Sequence, residues 1–318
     1  MTFPRKLCYT LITMQNALDQ FYTKKEIAAA CWKHFTDIFA VEALFFIEPS
    51  AGTGAFYNLL PPQRRLGMDI EPKCEGVIAQ DFFKVSAGYR NPLLQTAQRD
   101  MSGYGDARIQ TAPNETAIIG NPPFGKRGKL AIAFFNHAAY LADTVAFIVP
   151  VNFRKWTVHK QLDSSMRFIS KLALPREAFQ LGNGKPYAVN TEFQIWTRGE
   201  ANAYPDMRLH QPLPTSHPDF QMWQYNNTAA ARKVFRNAFD FAVPCQGWQD
   251  YSRKETDEKR CERNKQWILL KAKNPNVLAR LMCINYERLA QECATAVPGF
   301  RKGDLVQAYA KQKTPPGS

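Results

Sequence analysis

The chain has 318 residues, 45% hydrophobic and 22% charged, with 41 Lys+Arg against 28 Asp+Glu for a net charge of +13. This composition excludes collagen-like, fibrous and wholly disordered chains and leaves room for two domains. The basic excess suits a polyanionic partner such as nucleic acid.

In chain order, short apolar runs alternate with helical patterns. The run 44–47 (Leu-Phe-Phe-Ile) stops at Glu48-Pro49 and a glycine turn, and 66–70 is a second, weaker run. The run 117–120 ends at Asn121-Pro122-Pro123, 145–149 ends at Pro150, and 168–174 and 192–196 supply two more. Fully apolar runs of this length are expected of parallel strands buried on both faces. Residues 130–141 carry apolar side chains at helical spacing between them. Alternating strands and helices predict an α/β, doubly wound sheet, with ligands beyond the carboxyl ends of its strands.

Farther on, Gly182-Asn183-Gly184-Lys185-Pro186 reads as a mobile loop, and 203–218 holds four prolines with little periodicity. Segments 228–239, 255–270 and 276–292 have helix-forming, basic composition. A domain over 1–205, a smaller, mainly helical C-terminal domain over 206–310 and a frayed tail over 311–318 are expected.

Seven cysteines with no C-x-x-C pair, and five histidines without ligand or triad spacing, predict free thiols and no metal. No apolar run approaches the ~20 residues of a spanning helix. Thr10, Thr13, Gln15 and Asn16 interrupt any signal-like stretch after Arg5-Lys6. A cytoplasmic protein that avoids membranes is expected, with a monomer slightly favoured.

Asn121-Pro122-Pro123-Phe124 carries the sharpest chemistry. An exocyclic amine is a weak nucleophile because its lone pair is delocalised into the ring. The Asn121 side-chain oxygen and the Pro122 carbonyl can each accept one of its N–H bonds, drawing that pair toward an electrophile. Prolines hold the carbonyl stiffly where charge develops, and Phe124 offers a stacking face. A strand-ending turn with a packed Phe is the structural alternative.

Earlier, Glu48-Pro49-Ser50-Ala51-Gly52-Thr53-Gly54 places small residues at a strand-to-helix turn, where backbone approaches a ligand closely. Glu48 can pair with an ammonium group, and Asp69 can hold ribose hydroxyls. Asp81 can hold an exocyclic amine while Phe82 covers a purine, though Asp81 also suits a helix cap and Phe82 the core. A nucleoside with an amino-acid tail would satisfy all four. Lys126, Arg127 and Lys129, flanked by glycines, suit phosphates, or a solvated turn. Arg253, Lys254 and the basic residues of 259–265 suit nucleic-acid backbone or an ordinary exposed helix face. Trp223, Tyr225, Trp248, Tyr251 and Trp267 suit stacking on bases or the core.

Taken in order, Asp19-Gln20-Phe21-Tyr22-Thr23, the Glu48–Phe56 loop, Asp69, Asp81-Phe82 and Asn121–Phe124 resemble the motifs of the gamma group of S-adenosylmethionine-dependent adenine-N6 DNA methyltransferases. The resemblance spans residues 19–197. It implies a Rossmann-like methyltransferase sheet and S-adenosylmethionine held by Tyr22, Thr23, Glu48, Ser50, Gly52, Asp69, Asp81 and Phe82. It also implies double-stranded DNA as partner, with a flipped adenine against Asn121, Pro122 and Phe124. Asn190, or Tyr187, would shape the target pocket, and the C-terminal domain would recognise the target. Adenosine in RNA and a protein glutamine amide are alternative acceptors, and a non-catalytic nucleic-acid-binding module is the third possibility.

Overall fold

The computed structural model describes residues 21–85, 116–198, 205–247, 250–295 and 297–312. Asp19, Gln20, Trp248 and most of the expected tail lie outside them. Contacts divide the chain into two units, Met1–Phe153 with Val158–Arg208, and Arg154–Thr157 with Leu209–Ser318.

The first unit begins with strand β1 (Phe21–Thr23) and helix α1 (Lys25–Thr36). Strands β2 (Phe45–Glu48), β3 (Arg65–Asp69), β4 (Val77–Ala79) and β5 (Thr116–Gly120) follow. Helix α2 (Lys129–Leu141), strand β6 (Thr144–Pro150) and strand β7 (Arg167–Ala173) come next. Short strands β8 (Phe179–Leu181) and β9 (Pro186–Tyr187) precede β10 (Thr191–Thr197).

Seven of these strands form one sheet in the order β4-β3-β2-β5-β6-β10-β7. The strands from β4 to β6 run parallel, and β10 runs antiparallel between β6 and β7. This is the expected doubly wound, mostly parallel, Rossmann-like sheet. Its central strands β2, β5 and β6 are buried along their whole length, which explains why they read as unbroken apolar runs. The fully buried β10 also carries Glu192, Gln194 and Trp196 on one face. The Trp196 indole N–H donates to Gln194 Oε1 at 2.9 Å, and Gln194 Nε2 donates to Glu192 Oε1 at 2.5 Å. That ladder keeps buried polar groups bonded.

No α-helix follows the glycine turn after β2. The chain makes a 3-10 turn at Tyr57–Leu59, and Pro61-Pro62 then denies a helix its N–H donors. The segment expected to be a mobile loop is a tight hairpin between β8 and β9, closed by a Leu181 N–H to Lys185 carbonyl bond of 2.8 Å. β1 joins this hairpin in a separate sheet of order β1-β8-β9.

The second unit contains an antiparallel sheet, β11 (Phe220–Tyr225), β13 (Gln266–Ala272) and β12 (Phe241–Gln246), in that spatial order. Helices α3 (Pro275–Met282), α4 (Tyr286–Cys293) and α5 (Lys302–Lys311) accompany it. The expected helix over 255–270 is therefore wrong. Trp267, Ile268, Leu269 and Leu270 are all fully buried in the central strand, so this apolar run obeys the same rule as β5 and β6. The segment 228–239 holds a 3-10 helix, Ala230–Arg236, and 276–292 divides into α3 and α4. Pro244 falls on β12, an edge strand, where a missing N–H is tolerated. Among the described residues no helix is long and apolar enough to cross a membrane.

Candidate active site

The sheet order reverses between β2 and β5. β2 leads to β3 and β4 on one side, and the chain then returns to start β5 on the other. A crevice opens at such a switch point, beyond the carboxyl ends of the two strands. Glu48 ends β2 and Asn121 follows β5. Gly120 makes their closeness possible. At φ +155° it occupies a conformation few side chains adopt, and a Cβ there would lie 3.2 Å from Glu48 Cγ.

One cavity fills this crevice. Tyr22, Thr23, Glu48, Ser50, Gly52, Asp69, Asp81 and Phe82 line it, as do Asn121, Pro122 and Phe124. Residues spread over 100 positions are thus gathered at one place. Phe21, Pro123, Leu130 and Phe134 also line it. Phe21 belongs to the N-terminal motif and Pro123 to the Asn-Pro-Pro-Phe motif, where it stiffens the turn, whereas Leu130 and Phe134 carry no separate signal in the sequence.

Two oxygens in the cavity have unmet bonding capacity. Glu48 is 2% exposed, and its Oε2 has no hydrogen-bond partner among the described residues. Burial lifts its carboxyl well above the ordinary carboxylate range, the nearby Asp69 adds to this, and a Tyr57 backbone N–H opposes it. Asn121 Nδ2 donates to the Phe21 carbonyl at 3.2 Å, whereas its buried Oδ1 accepts nothing from the described residues. A buried polar atom left unbonded is costly, so both positions favour a ligand that brings donors: a cation at Glu48 and an N–H at Asn121.

The surrounding turn is held firmly. Asp69 Oδ2 accepts from the Gly52 N–H at 2.7 Å and Oδ1 from the Glu71 N–H at 2.8 Å. Its carboxylate therefore pins the glycine loop, and each oxygen retains a lone pair for a hydroxyl. Gly52, at φ +50°, lies under the Tyr22 ring, 3.2 Å from where its Cβ would stand. The Tyr22 hydroxyl in turn takes a hydrogen bond from Lys73. Asp81 caps the 3-10 turn Phe82–Lys84 through the Phe83 N–H at 3.0 Å. Phe82 is 2% exposed and stacks on Phe134 at 5.3 Å. The capping and core roles anticipated for these residues are thus real, and both still line the cavity. The Phe124 carbonyl accepts the Leu130 and Ala131 N–H groups at 3.1 and 3.3 Å. The Asn121–Phe124 turn, the acceptor turn by virtue of its unbonded Asn121 oxygen, thereby caps α2, a helix start that lacks a side-chain cap.

Lys126, Arg127, Lys129 and Asn190 do not line the cavity. The three basic residues are exposed on the 3-10 turn Lys126–Gly128 and at the start of α2. Asn190 uses its carbonyl to accept the Val151 N–H at 3.1 Å. Sequence proximity to Phe124 says nothing of direction, and the left-handed Arg127 (φ 58°) turns the chain within this loop.

The second unit has its own groove, lined by Trp223, Gln224, Gln246, Thr215, Arg301 and Lys302 and free of carboxylates. Tyr225, Tyr251 and Trp267 are core residues. Arg253 is bound by Glu255 and Glu262, both at 2.9 Å.

No family model and no curated protein matches the sequence. Among solved structures the chain is similar to one from Pyrococcus horikoshii described as a candidate RNA methyltransferase: 16% identity, 61% of this chain, 96% of that chain, TM-score 0.39. It is similar also to the M protein of the type I restriction enzyme EcoKI, at 13% identity over 98% of this chain and 75% of that one, TM-score 0.33. A type I restriction-modification methyltransferase subunit from Streptococcus thermophilus matches at 16% identity and TM-score 0.33, over 57% of this chain and 45% of that subunit.

Proposed function

We propose that the protein transfers a methyl group from S-adenosylmethionine to the exocyclic N6 amine of a flipped adenine in DNA. The observation that carries this reading is the pair of unbonded buried oxygens, Glu48 Oε2 and Asn121 Oδ1, lining one cavity at the sheet's switch point. The cofactor fits the first because its amino-acid tail carries an ammonium. It supplies an electrophilic methyl on a sulfonium sulfur. Asp69 can bind ribose hydroxyls through its remaining lone pairs, and Phe82, beside Asp81, offers an apolar wall to the adenine.

Asn121 Oδ1 and the Pro122 carbonyl accept the two N–H bonds of the target amine and localise its lone pair. The N–C bond forms as the S–C bond breaks, and the surplus proton on nitrogen leaves to solvent. Rate comes from positioning and fixed dipoles rather than from a covalent intermediate. A base inside a duplex is out of reach, so the target must swing out of the stack.

The acceptor turn by itself fits an amine in RNA or a glutamine amide equally well. Nucleic acid is favoured by the net charge of +13 and by the carboxylate-free groove bearing Trp223, two amides, Arg301 and Lys302. DNA is favoured by the order of the motifs. Purified protein supplied with labelled S-adenosylmethionine and unmethylated duplex DNA is expected to yield N6-methyladenine on nucleoside analysis. Label confined to RNA or protein would replace the DNA assignment, and no transfer at all would remove the reading.

A further inference from the structure

The small sheet β1-β8-β9 lies outside the seven-stranded sheet, yet it touches the acceptor turn at both ends. From β1, the Phe21 carbonyl takes the Asn121 Nδ2 hydrogen at 3.2 Å. From β8, the fully buried Phe179 packs edge-on against Phe124, with ring centroids 6.0 Å apart and planes at 85°. The two strands are locked in register, Phe21 opposite Leu181 and Thr23 opposite Phe179. A Lys24 N–H to Ala178 carbonyl bond of 3.1 Å extends that pairing. On β9, the Tyr187 ring stacks on Phe21 at 3.9 Å and 9°. In addition, Ser50 Oγ donates to the Asn121 backbone carbonyl at 3.0 Å.

A primary amide can present either oxygen or nitrogen by turning over. Here one orientation is enforced. Turned over, Asn121 would set Oδ1 against the Phe21 carbonyl, acceptor to acceptor, and leave the N–H group facing the cavity. With Nδ2 committed to Phe21, the cavity meets an oxygen that can only accept.

We propose that the β1-β8-β9 sheet is the positioning element of the acceptor turn. By engaging Nδ2 of Asn121 through the Phe21 carbonyl, it restricts the site to nucleophiles that donate N–H. This rests on the methyl-transfer reading above. Primary amines on bases meet the requirement. A ring nitrogen or carbonyl oxygen, offering only a lone pair, meets an acceptor and is rejected. β1 also supplies Tyr22 and Thr23 to the cavity, so one strand borders the cofactor region and orients the acceptor.

Asn121→Asp in the full chain separates these roles, since aspartate keeps the oxygens and loses the donor to Phe21. Its kcat at pH 8 is expected to fall by about 100-fold or more, the scale of losing one preorganised polar group. Affinity for S-adenosylhomocysteine should stay within about twofold, because the cofactor groups are untouched. Its log kcat should rise as pH is lowered, a limb the wild type lacks, because a protonated carboxyl can again donate to the Phe21 carbonyl. As a second test, Phe21→Ala, checked for fold by circular dichroism, should lower kcat roughly tenfold with a smaller loss of S-adenosylhomocysteine affinity, and Phe21→Tyr should restore it. Wild-type kcat and an unchanged pH profile in Asn121→Asp, or unchanged kcat in Phe21→Ala, would overturn the positioning role while leaving methyl transfer intact. A wild-type protein that methylates no amine would remove both.

Discussion

Replacing Glu48 with glutamine keeps the size of a side chain that β2 carries into complete burial, and removes only its capacity for charge. Burial raises the pKa of this carboxyl well above 4.5, which favours its neutral form. The sign of the linkage follows. A group protonated more readily when folded supports the fold below its unfolded pKa and loses that support as pH rises through its folded value. Wild-type stability should therefore decline from about pH 4.5 upward relative to Glu48→Gln. The variant should melt at the same or a higher temperature at pH 8. On the proposed reading binding reverses the preference, because an ammonium beside Oε2 would favour the carboxylate. Removing one member of a buried charge pair costs about 3–5 kcal/mol. At about 1.4 kcal/mol per tenfold, affinity should fall on the order of 10²–10⁴-fold. Calorimetry with S-adenosylhomocysteine in buffers of different ionisation enthalpy reads both effects. The wild type should release protons on binding, and Glu48→Gln should release fewer. Unchanged affinity in the variant, or a variant less stable than wild type at pH 8, would refute the assignment of Glu48 as the buried partner of an ammonium.

Three further outcomes are expected. Asn121→Ala should reduce kcat by about 10²–10³-fold with cofactor affinity within a few-fold, read by steady-state and single-turnover methylation. Asp69→Ala removes the carboxylate that takes the Gly52 and Glu71 N–H groups, so it should weaken S-adenosylhomocysteine binding and lower the melting temperature together; an effect on only one of these would separate its two duties. Arg301→Ala, in the C-terminal groove, should weaken binding to all duplex sequences and reduce the slope of log affinity against log salt by about one, measured by fluorescence anisotropy.

Much of the chemistry was legible along the chain because burial on both faces leaves an unbroken apolar run, and the motif at its end marks the carboxyl edge of a strand. By that logic β2, β5 and β6, and the cavity positions of Glu48 and Asn121, follow from local pattern; β10 was legible despite the buried Glu192 and Gln194 that interrupt it. The same logic, applied to Trp267–Leu270, would have exposed β13; basic, helix-favouring neighbours at 253–265 masked it.

Other features depend on pairings between distant segments. β1 meets β8 across more than 150 residues, and the Asp69 carboxylate is engaged by a glycine loop that precedes it. Composition carries no record of such partners. The direction of a short loop is equally non-local, which is why Lys126, Arg127 and Lys129 follow Phe124 in sequence and yet stand outside its cavity. The amino acids alone determined which groups would stand at the ends of the strands. Only tertiary structure decided which face of Asn121 those groups would leave open, because an amide acquires a direction from the partner that holds its other end.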